Sequence, residues 1–256
     1  MSELSKNMKK DIVIGLGEIG YPIFQLLSKT FPVDGYDKNP KLSIKNPLLK
    51  NHKIECMHIC IPFDNSFISQ VLKLQKKFVS DVIIIHSTIS PHTTEKIQKK
   101  LQIPILYSAT RGVHKRMLRD LKRYVKFYSV YDYIPKSKLA SKVFESRFKQ
   151  CSVKCKKMSD PLTLELAKII CDTSYYGWLI NYAQISKMIS DKENVDFDEM
   201  WTFSDEIHKI LKNRPKMFPG FIGGHCVIPN LELINEGSLN QINEINNLFK
   251  KFLDKK

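Results

Sequence analysis

The sequence predicts an α/β fold: a Rossmann-type, doubly wound, mostly parallel sheet followed by an α-helical second domain with one long central helix. Three observations predict it. Short apolar runs alternate with helically spaced segments as far as about residue 158. A Gly-x-Gly-x-x-Gly turn follows the first of those runs. From Asp160 to about Ser190 the pattern becomes that of a single amphipathic helix. The division predicted is a Rossmann domain over 1–158 and a helical substrate and dimerisation domain over 159–256.

Ile12-Val13-Ile14 reads as a buried strand. Ile19 to Lys29 carries apolar residues at 19, 23, 26 and 27, which is helical spacing. Pro32 to Tyr36 gives the second strand and Met57 to Ile61 the third, closed by Pro62. Phe67 to Phe78 is a helix with Ile68, Val71, Leu72 and Leu74 on or near one face. Val82 to Ile85 is the fourth strand. Ser90 then caps a helix starting near Pro91, since proline suits a first helical turn. Ile103 to Tyr107 is the fifth strand. Beyond Lys115, Phe127 to Tyr131 is strand-like, Pro135 to Phe148 helical, and Ser152 to Met158 a last strand. Asp160-Pro161 supplies the N-cap and first-turn proline of the long helix.

Composition sets the frame for function. The 256 residues are 43% hydrophobic and 26% charged, ordinary for a soluble globular chain. No apolar run approaches the roughly 18–20 residues of a membrane span, and MSELSKNMKK has no apolar stretch of a signal peptide behind it. Six cysteines form no C-x-x-C pair and no zinc spacing with histidine. A reducing cytoplasm and no metal are expected. Cys56 and Cys60, four apart on a strand, are expected on one face as core. Net charge is +15, and between Arg111 and Lys157 fifteen Lys/Arg face three acids. Such a segment suits nucleic acid, an anionic membrane surface, a phosphate-bearing small molecule, or only a solvated face.

Gly15-Leu16-Gly17-Glu18-Ile19-Gly20 lies between the first strand and the first helix. Gly15 makes the tight turn, Gly17 lets backbone approach a pyrophosphate, and Gly20 lets helix and strand pack closely. The helix start offers N–H groups to the anion. Asp37 follows 17 residues after Gly20, near the spacing of a carboxylate that holds ribose hydroxyls. That charge would repel a 2′-phosphate, so NAD is favoured over NADP. Lys38 weakens the preference slightly.

Further segments bring a family into view. His86-Ser87-Thr88-Ile89-Ser90-Pro91-His92-Thr93-Thr94 resembles the S-T-V-x-P-G-T-T segment of the UDP-glucose/GDP-mannose dehydrogenases. Glu165-Leu166-Ala167-Lys168 resembles the E-x-x-K of that family's long central helix. Pro219-Gly220-Phe221-Ile222-Gly223-Gly224-His225-Cys226 resembles its G-x-G-F-G-G-x-C loop. The order and approximate spacing agree over roughly residues 11 to 230. The resemblance implies oxidation of a sugar alcohol to a carboxylate in two NAD-dependent steps. Cys226 then matches the thiol that attacks the intermediate aldehyde, Lys168 the lysine that stabilises a developing oxyanion, and Thr88 the threonine near nicotinamide and water. Ser87, Glu18 and Ile19 join Gly15, Gly17, Gly20 and Asp37 on the cofactor side. Gly223, Gly224 and His225 join the substrate side.

Three departures stand against the resemblance. Asp172 replaces an asparagine one turn after Lys168, and could pair with it. Asn230 replaces the carboxylate of C-x-x-K-D, and an amide cannot serve as a base. Ser108-Ala109-Thr110-Arg111 replaces a segment carrying a glutamate that assists thioester hydrolysis. The chain also ends about 30 residues after Cys226, which reads as a short divergent member lacking the C-terminal nucleotide-binding domain. Arg111, His114, Lys115, Arg116 and Arg119 form a basic loop after the fifth strand, expected to hold an anionic substrate. Tyr175, Tyr176, Trp178 and Tyr182 suggest a homodimer through residues 160–190. Two other readings remain open: single hydride transfer with Lys168, as in β-hydroxyacid dehydrogenases, and a non-catalytic NAD- or nucleic-acid-binding module.

Overall fold

A computed structural model describes residues 8–224, 226–234 and 236–255. Strands β1 (Lys9–Ile14), β2 (Val33–Tyr36), β3 (Lys53–Ile59), β4 (Val82–Ile85) and β5 (Ile105–Tyr107) form one parallel sheet in the order β2-β1-β3-β4-β5. Helices α1 (Gly20–Leu27), α2 (Phe67–Phe78) and α3 (Thr93–Gln98) are the crossovers. The two-residue period of each strand feeds two cores. Val13, Val82 and Ile84 pack with Ile23, Leu26 and Leu27 on one side. Ile12, Ile14, Ile83 and Ile85 pack with Phe67, Val71 and Ile97 on the other. This is the doubly wound arrangement the sequence predicts. Cys56 lies in the first core and Cys60 packs against it, as their spacing requires. Burying each Val or Ile of β4 contributes roughly 1.5–3 kcal/mol.

Then come α4 (Met117–Arg123), β6 (Lys126–Tyr128), α5 (Ser137–Gln150) and β7 (Cys155–Lys157). β6 and β7 pair in parallel as a separate two-stranded sheet, tied to β5 by an antiparallel bridge between Tyr107 and Ser129.

The long helix is three segments end to end: α6 (Pro161–Ala167), a π-helical stretch (Lys168–Ser174) and α7 (Tyr175–Lys192). A single uniform α-helix was expected, so the wider turn in the middle is a correction. The chain divides into two compact units between Leu166 and Ala167, not near residue 158. Glu165 explains the difference. Its buried carboxylate accepts from His92 N at 2.6 Å, Thr94 N at 2.9 Å and Thr94 Oγ1 at 2.6 Å, which fastens α6 to α3. Burial raises the Glu165 carboxyl above its ordinary value despite these donors. The same contact moves the start of α3. Pro91 and His92 lie outside the helix, His92 stands in the left-handed region (φ 67), and Ser90 accepts through its backbone carbonyl from Thr93 N. The Glu165 carboxylate supplies the capping acceptor that the Ser90 hydroxyl was expected to supply.

In the second unit α7 packs along α10 (Gly237–Leu253) and against α8 (Phe197–Leu211), with the short α9 (Ile228–Leu231) beside the π-helical stretch. Ile222, Leu231, Leu239 and Ile242 make one small core. Ala183, Phe197 and Trp201 make another.

Candidate active site

In the first unit the glycine turn has the shape that its sequence demands. Gly15 adopts φ +84, a region that disfavours side chains, and lies 3.0 Å (from an ideal Cβ) from Cys60 O. A Cβ on Gly20 would stand 1.7 Å from Gly15 O, so no other residue fits there. Over Gly17 a Cβ would meet nothing within 4 Å, so the space above the turn is open to a phosphate. Asp37 Oδ2 accepts from Leu16 N at 2.8 Å and Oδ1 from Asn39 N at 2.9 Å, which fixes the carboxylate at the end of β2 beside the turn. The residues present therefore fit the adenosine half of a dinucleotide. Ile19 packs on the first core, and exposed Glu18 pairs with His114 Nδ1 at 2.8 Å. Ser87 Oγ donates to Ile61 O at 2.6 Å, tying the loops after β3 and β4 together with half-buried Thr88 next in line.

The basic loop is largely committed to its own unit. Arg111 Nη2 donates to Val125 O at 2.7 Å, and its guanidinium lies over Phe127. Arg116 Nε donates to Asp120 Oδ2 at 2.9 Å, which also accepts from Val113 N at 3.0 Å. Lys115 and Arg119 are exposed. Thr110, at the position where the resemblance places a glutamate, is buried.

Beneath these loops runs a buried polar chain that the sequence reading missed. Ser108 O is an acceptor only, so it takes the proton of His86 Nδ1 at 3.1 Å, and His86 Nε2 then accepts from His58 Nδ1 at 2.9 Å. His58 Nε2 faces Asp11 Oδ2 at 3.7 Å, and Asp11 accepts from Arg147 Nε at 2.9 Å. Arg147 also pairs with Glu55. Burial, with the nearby Lys126 and His58 charges, holds His86 well below the ordinary histidine range. Lys126, buried and donating to the same Ser108 carbonyl at 3.1 Å, is lowered by burial to about 8.

In the second unit Lys168 opens the π-helical stretch. Its Nζ is 2.6 Å from Asp172 Oδ2, with side chains 12% and 44% exposed. The ammonium is thus half sheltered and already paired, unlike a freely solvated lysine. Thr173 Oγ1 donates to Lys168 O at 3.1 Å and Ser174 Oγ to Ile170 O at 2.7 Å, which satisfies carbonyls that the wider turn strains. Such π segments recur at functional sites. Cys226 is exposed, and Asn230 Nδ2 donates to its carbonyl at 2.5 Å. Asn230 sits on α9, which packs against the Lys168–Ser174 stretch. A Cβ on Gly177 would lie 3.2 Å from Val227 Cγ1, so the residue after Cys226 also lies on this helix. Gly223 and Gly224 are exposed, and His225 lies outside the described residues. Among the described residues no cluster of three His, Cys, Asp or Glu could hold a metal.

The first unit, a parallel sheet with a glycine turn after its first strand, has a Rossmann-like α/β fold, and the second unit is helical. No protein-family model matches the sequence. UDP-N-acetyl-D-mannosamine dehydrogenase of Methanococcus maripaludis is 26% identical over 271 residues, 86% of this chain and 60% of that protein. The structure of UDP-D-ManNAc dehydrogenase from Pyrococcus horikoshii superposes with a TM-score of 0.76 at 20% identity, covering 96% of this chain and 69% of that one. Mycobacterium tuberculosis 3-hydroxyisobutyrate dehydrogenase gives 0.64 at 14% identity, covering 96% and 94%. The chain is thus similar in sequence to one nucleotide-sugar dehydrogenase, of whose length it spans about 60%, and it shares the fold of the solved structures.

Proposed function

We propose that this chain is an NAD-dependent oxidoreductase acting on an alcohol of a sugar nucleotide or sugar phosphate. The observation that carries the reading is the packing of α9, two residues beyond Cys226, against the turn that bears Lys168 and Asp172. The segment that follows the candidate nucleophile thereby packs against the stretch that bears the candidate electrostatic group. A bound nicotinamide would supply the hydride acceptor for the substrate carbon. Lys168 stabilises the oxygen as it becomes an alkoxide, with Asp172 orienting the ammonium. The Cys226 thiolate would add to the resulting aldehyde, the thiohemiacetal carbon would give its hydride to a second equivalent of NAD to leave a thioester on sulfur, and water would cleave that thioester to the carboxylate and the free thiol. Gly15, Gly17 and Gly20 would hold the pyrophosphate, Asp37 the ribose, and Ser87 and Thr88 the nicotinamide end. His114 and Lys115 are the candidates for the substrate anion; Arg111 acts through the fold of its loop.

One observation favours a second reading, a single hydride transfer. Asn230 and Thr110 stand where the family resemblance places carboxylates, so groups that would order water for hydrolysis are missing. The nucleic-acid reading loses support, because Arg111, Arg116, Lys126, Arg147 and Lys157 are all bonded within the first unit.

The test is reduction of NAD by a panel of sugar nucleotides, sugar phosphates and hydroxy acids, read from nicotinamide absorbance. No reduction with any of them would overturn the proposal. Asp37→Ser is expected to shift the NAD/NADP ratio of kcat/KM toward NADP by at least about tenfold, since one charge beside the ribose governs roughly 1.4 kcal/mol or more. An unchanged ratio would remove Asp37 from the cofactor site. No described helix is long and apolar enough to cross a membrane. Tyr175, Tyr176 and Tyr182 are exposed on α7, and a second copy is proposed to cover them. Light scattering at micromolar concentration should then give the mass of a dimer, and a monomer mass would refute it.

A further inference from the structure

The segment that carries Cys226 has little regular structure before it, yet two buried amides hold it. Gln184 on α7 and Asn246 on α10 are 0% and 1% exposed. Asn246 Oδ1 accepts from Ile222 N at 2.8 Å, and its Nδ2 donates to Ile222 O at 3.0 Å. A peptide N–H can only donate and a peptide C=O can only accept, so the orientation of this carboxamide is unambiguous. It pairs with Ile222 as a neighbouring strand would. Gln184 Nε2 donates to Gly220 O at 2.8 Å and to Asn246 Oδ1 at 3.0 Å, and its Oε1 accepts from Asn181 Nδ2 at 2.8 Å. Asn181 Nδ2 also donates to Ile242 O at 3.1 Å.

The consequence is a fixed path for the loop. A buried amide is costly unless its donors and acceptors are matched. Here the matching groups are the loop's own backbone at Gly220 and Ile222. Displacing the loop would strand both amides, so their burial enforces its course. Beyond Cys226 the carbonyl of that residue is held by Asn230. The thiol thus sits between two anchored points, with exposed Gly223 and Gly224 leading up to it.

We infer that Gln184 and Asn246 are positioning residues for Cys226, acting through Gly220 and Ile222. The inference rests on the reading of Cys226 as the nucleophile. α10, which lies past the last segment of family resemblance, is then part of the site's framework. Neither amide touches substrate in this account.

The test uses peptide-resolved mass spectrometry of iodoacetamide labelling in the intact chain, with exposed Cys171 as internal reference. Asn246→Asp is nearly isosteric. Once ionised, the introduced carboxyl sets an acceptor against Ile222 O; protonated, it can donate again. The Cys226/Cys171 labelling ratio should depart from wild type by at least roughly fivefold at neutral pH, the size of one lost hydrogen bond, and return toward it in acid. Gln184→Met should shift the ratio at every pH. Asn240→Asp, on the exposed side of α10, should leave it unchanged. Both amide variants should lower kcat with the KM for NAD unaltered. Folded variants, by circular dichroism, whose ratio matches wild type throughout would overturn the inference. A wild type that labels as expected but reduces no NAD would instead overturn the dehydrogenase reading alone.

Discussion

Cys226→Ser is expected to abolish carboxylate formation, by at least roughly a hundredfold, while the chain still folds. The loss follows from nucleophilicity. A thiol is partly ionised near neutral pH and intrinsically reactive, whereas a serine hydroxyl needs a base beside it. Asn230, where the resemblance places a carboxylate, is an amide and donates to Cys226 O instead. Folding should be spared because Cys226 is exposed, and substitutions at such positions usually stay within about 0.5 kcal/mol. The measurement is product analysis with the stoichiometry of NADH. A wild type that makes acid with two NADH, and a variant that stops at aldehyde with one, establish the thioester route. Equal turnover and one NADH in both would instead establish the single-hydride reading, with Lys168 alone polarising the oxygen. Lys168→Met separates these further, since it should remove the first hydride transfer under either reading.

Much of the first unit was legible because its signals are local. Val82 to Ile85 and Phe67 to Phe78 are runs whose period and flanks suffice, and both strand and helix fall there to the residue. Gly15 to Gly20 was legible because steric need at a turn leaves few residue choices. The misses share one cause: partners distant in sequence. His58 sits inside an apolar strand, and its significance depends on His86, 28 residues on, and Asp11 on the neighbouring strand. Glu165 was read only as part of a helix signature, although its carboxylate caps another helix 71 residues earlier. Gln184 and Asn246, 62 apart, look like ordinary polar positions on two amphipathic helices. The π-helical turn was hidden for a different reason. Apolar or small residues at 166, 169, 170 and 173 satisfy an α pattern, and one extra residue in a turn leaves that pattern almost intact. The hydroxyls of Thr173 and Ser174, each bonded back to a carbonyl, were the available clue.

The buried chain from Glu55 to His86 should dominate the stability of the first unit. Arg147→Met is expected to cost about 3–5 kcal/mol at neutral pH, the penalty for leaving a buried charge without its partner. Asp11 is fully buried and Arg147 donates to it at 2.9 Å. Burial pushes the Asp11 carboxyl up, but His58 and Arg147 outweigh it and hold it below its ordinary value of 3.8. A group whose folded value is depressed stabilises above its unfolded value, and that stability is lost as pH falls toward the folded one. For His86, held neutral by burial, stability therefore declines as pH drops under 6.5. For Asp11 a second decline begins under 3.8. Removing Arg147 lets the Asp11 value rise, so the variant loses less in that second window and its deficit against wild type shrinks in acid. Replacing Asp11 and Arg147 together by apolar residues should cost less than Arg147→Met alone, because no charge is then stranded. Hydrogen exchange of β1 and β3 amides across pH reads these differences in the unit concerned. A deficit in Arg147→Met that is small at neutral pH, or that grows on acidification, would show that the network carries no such charge coupling.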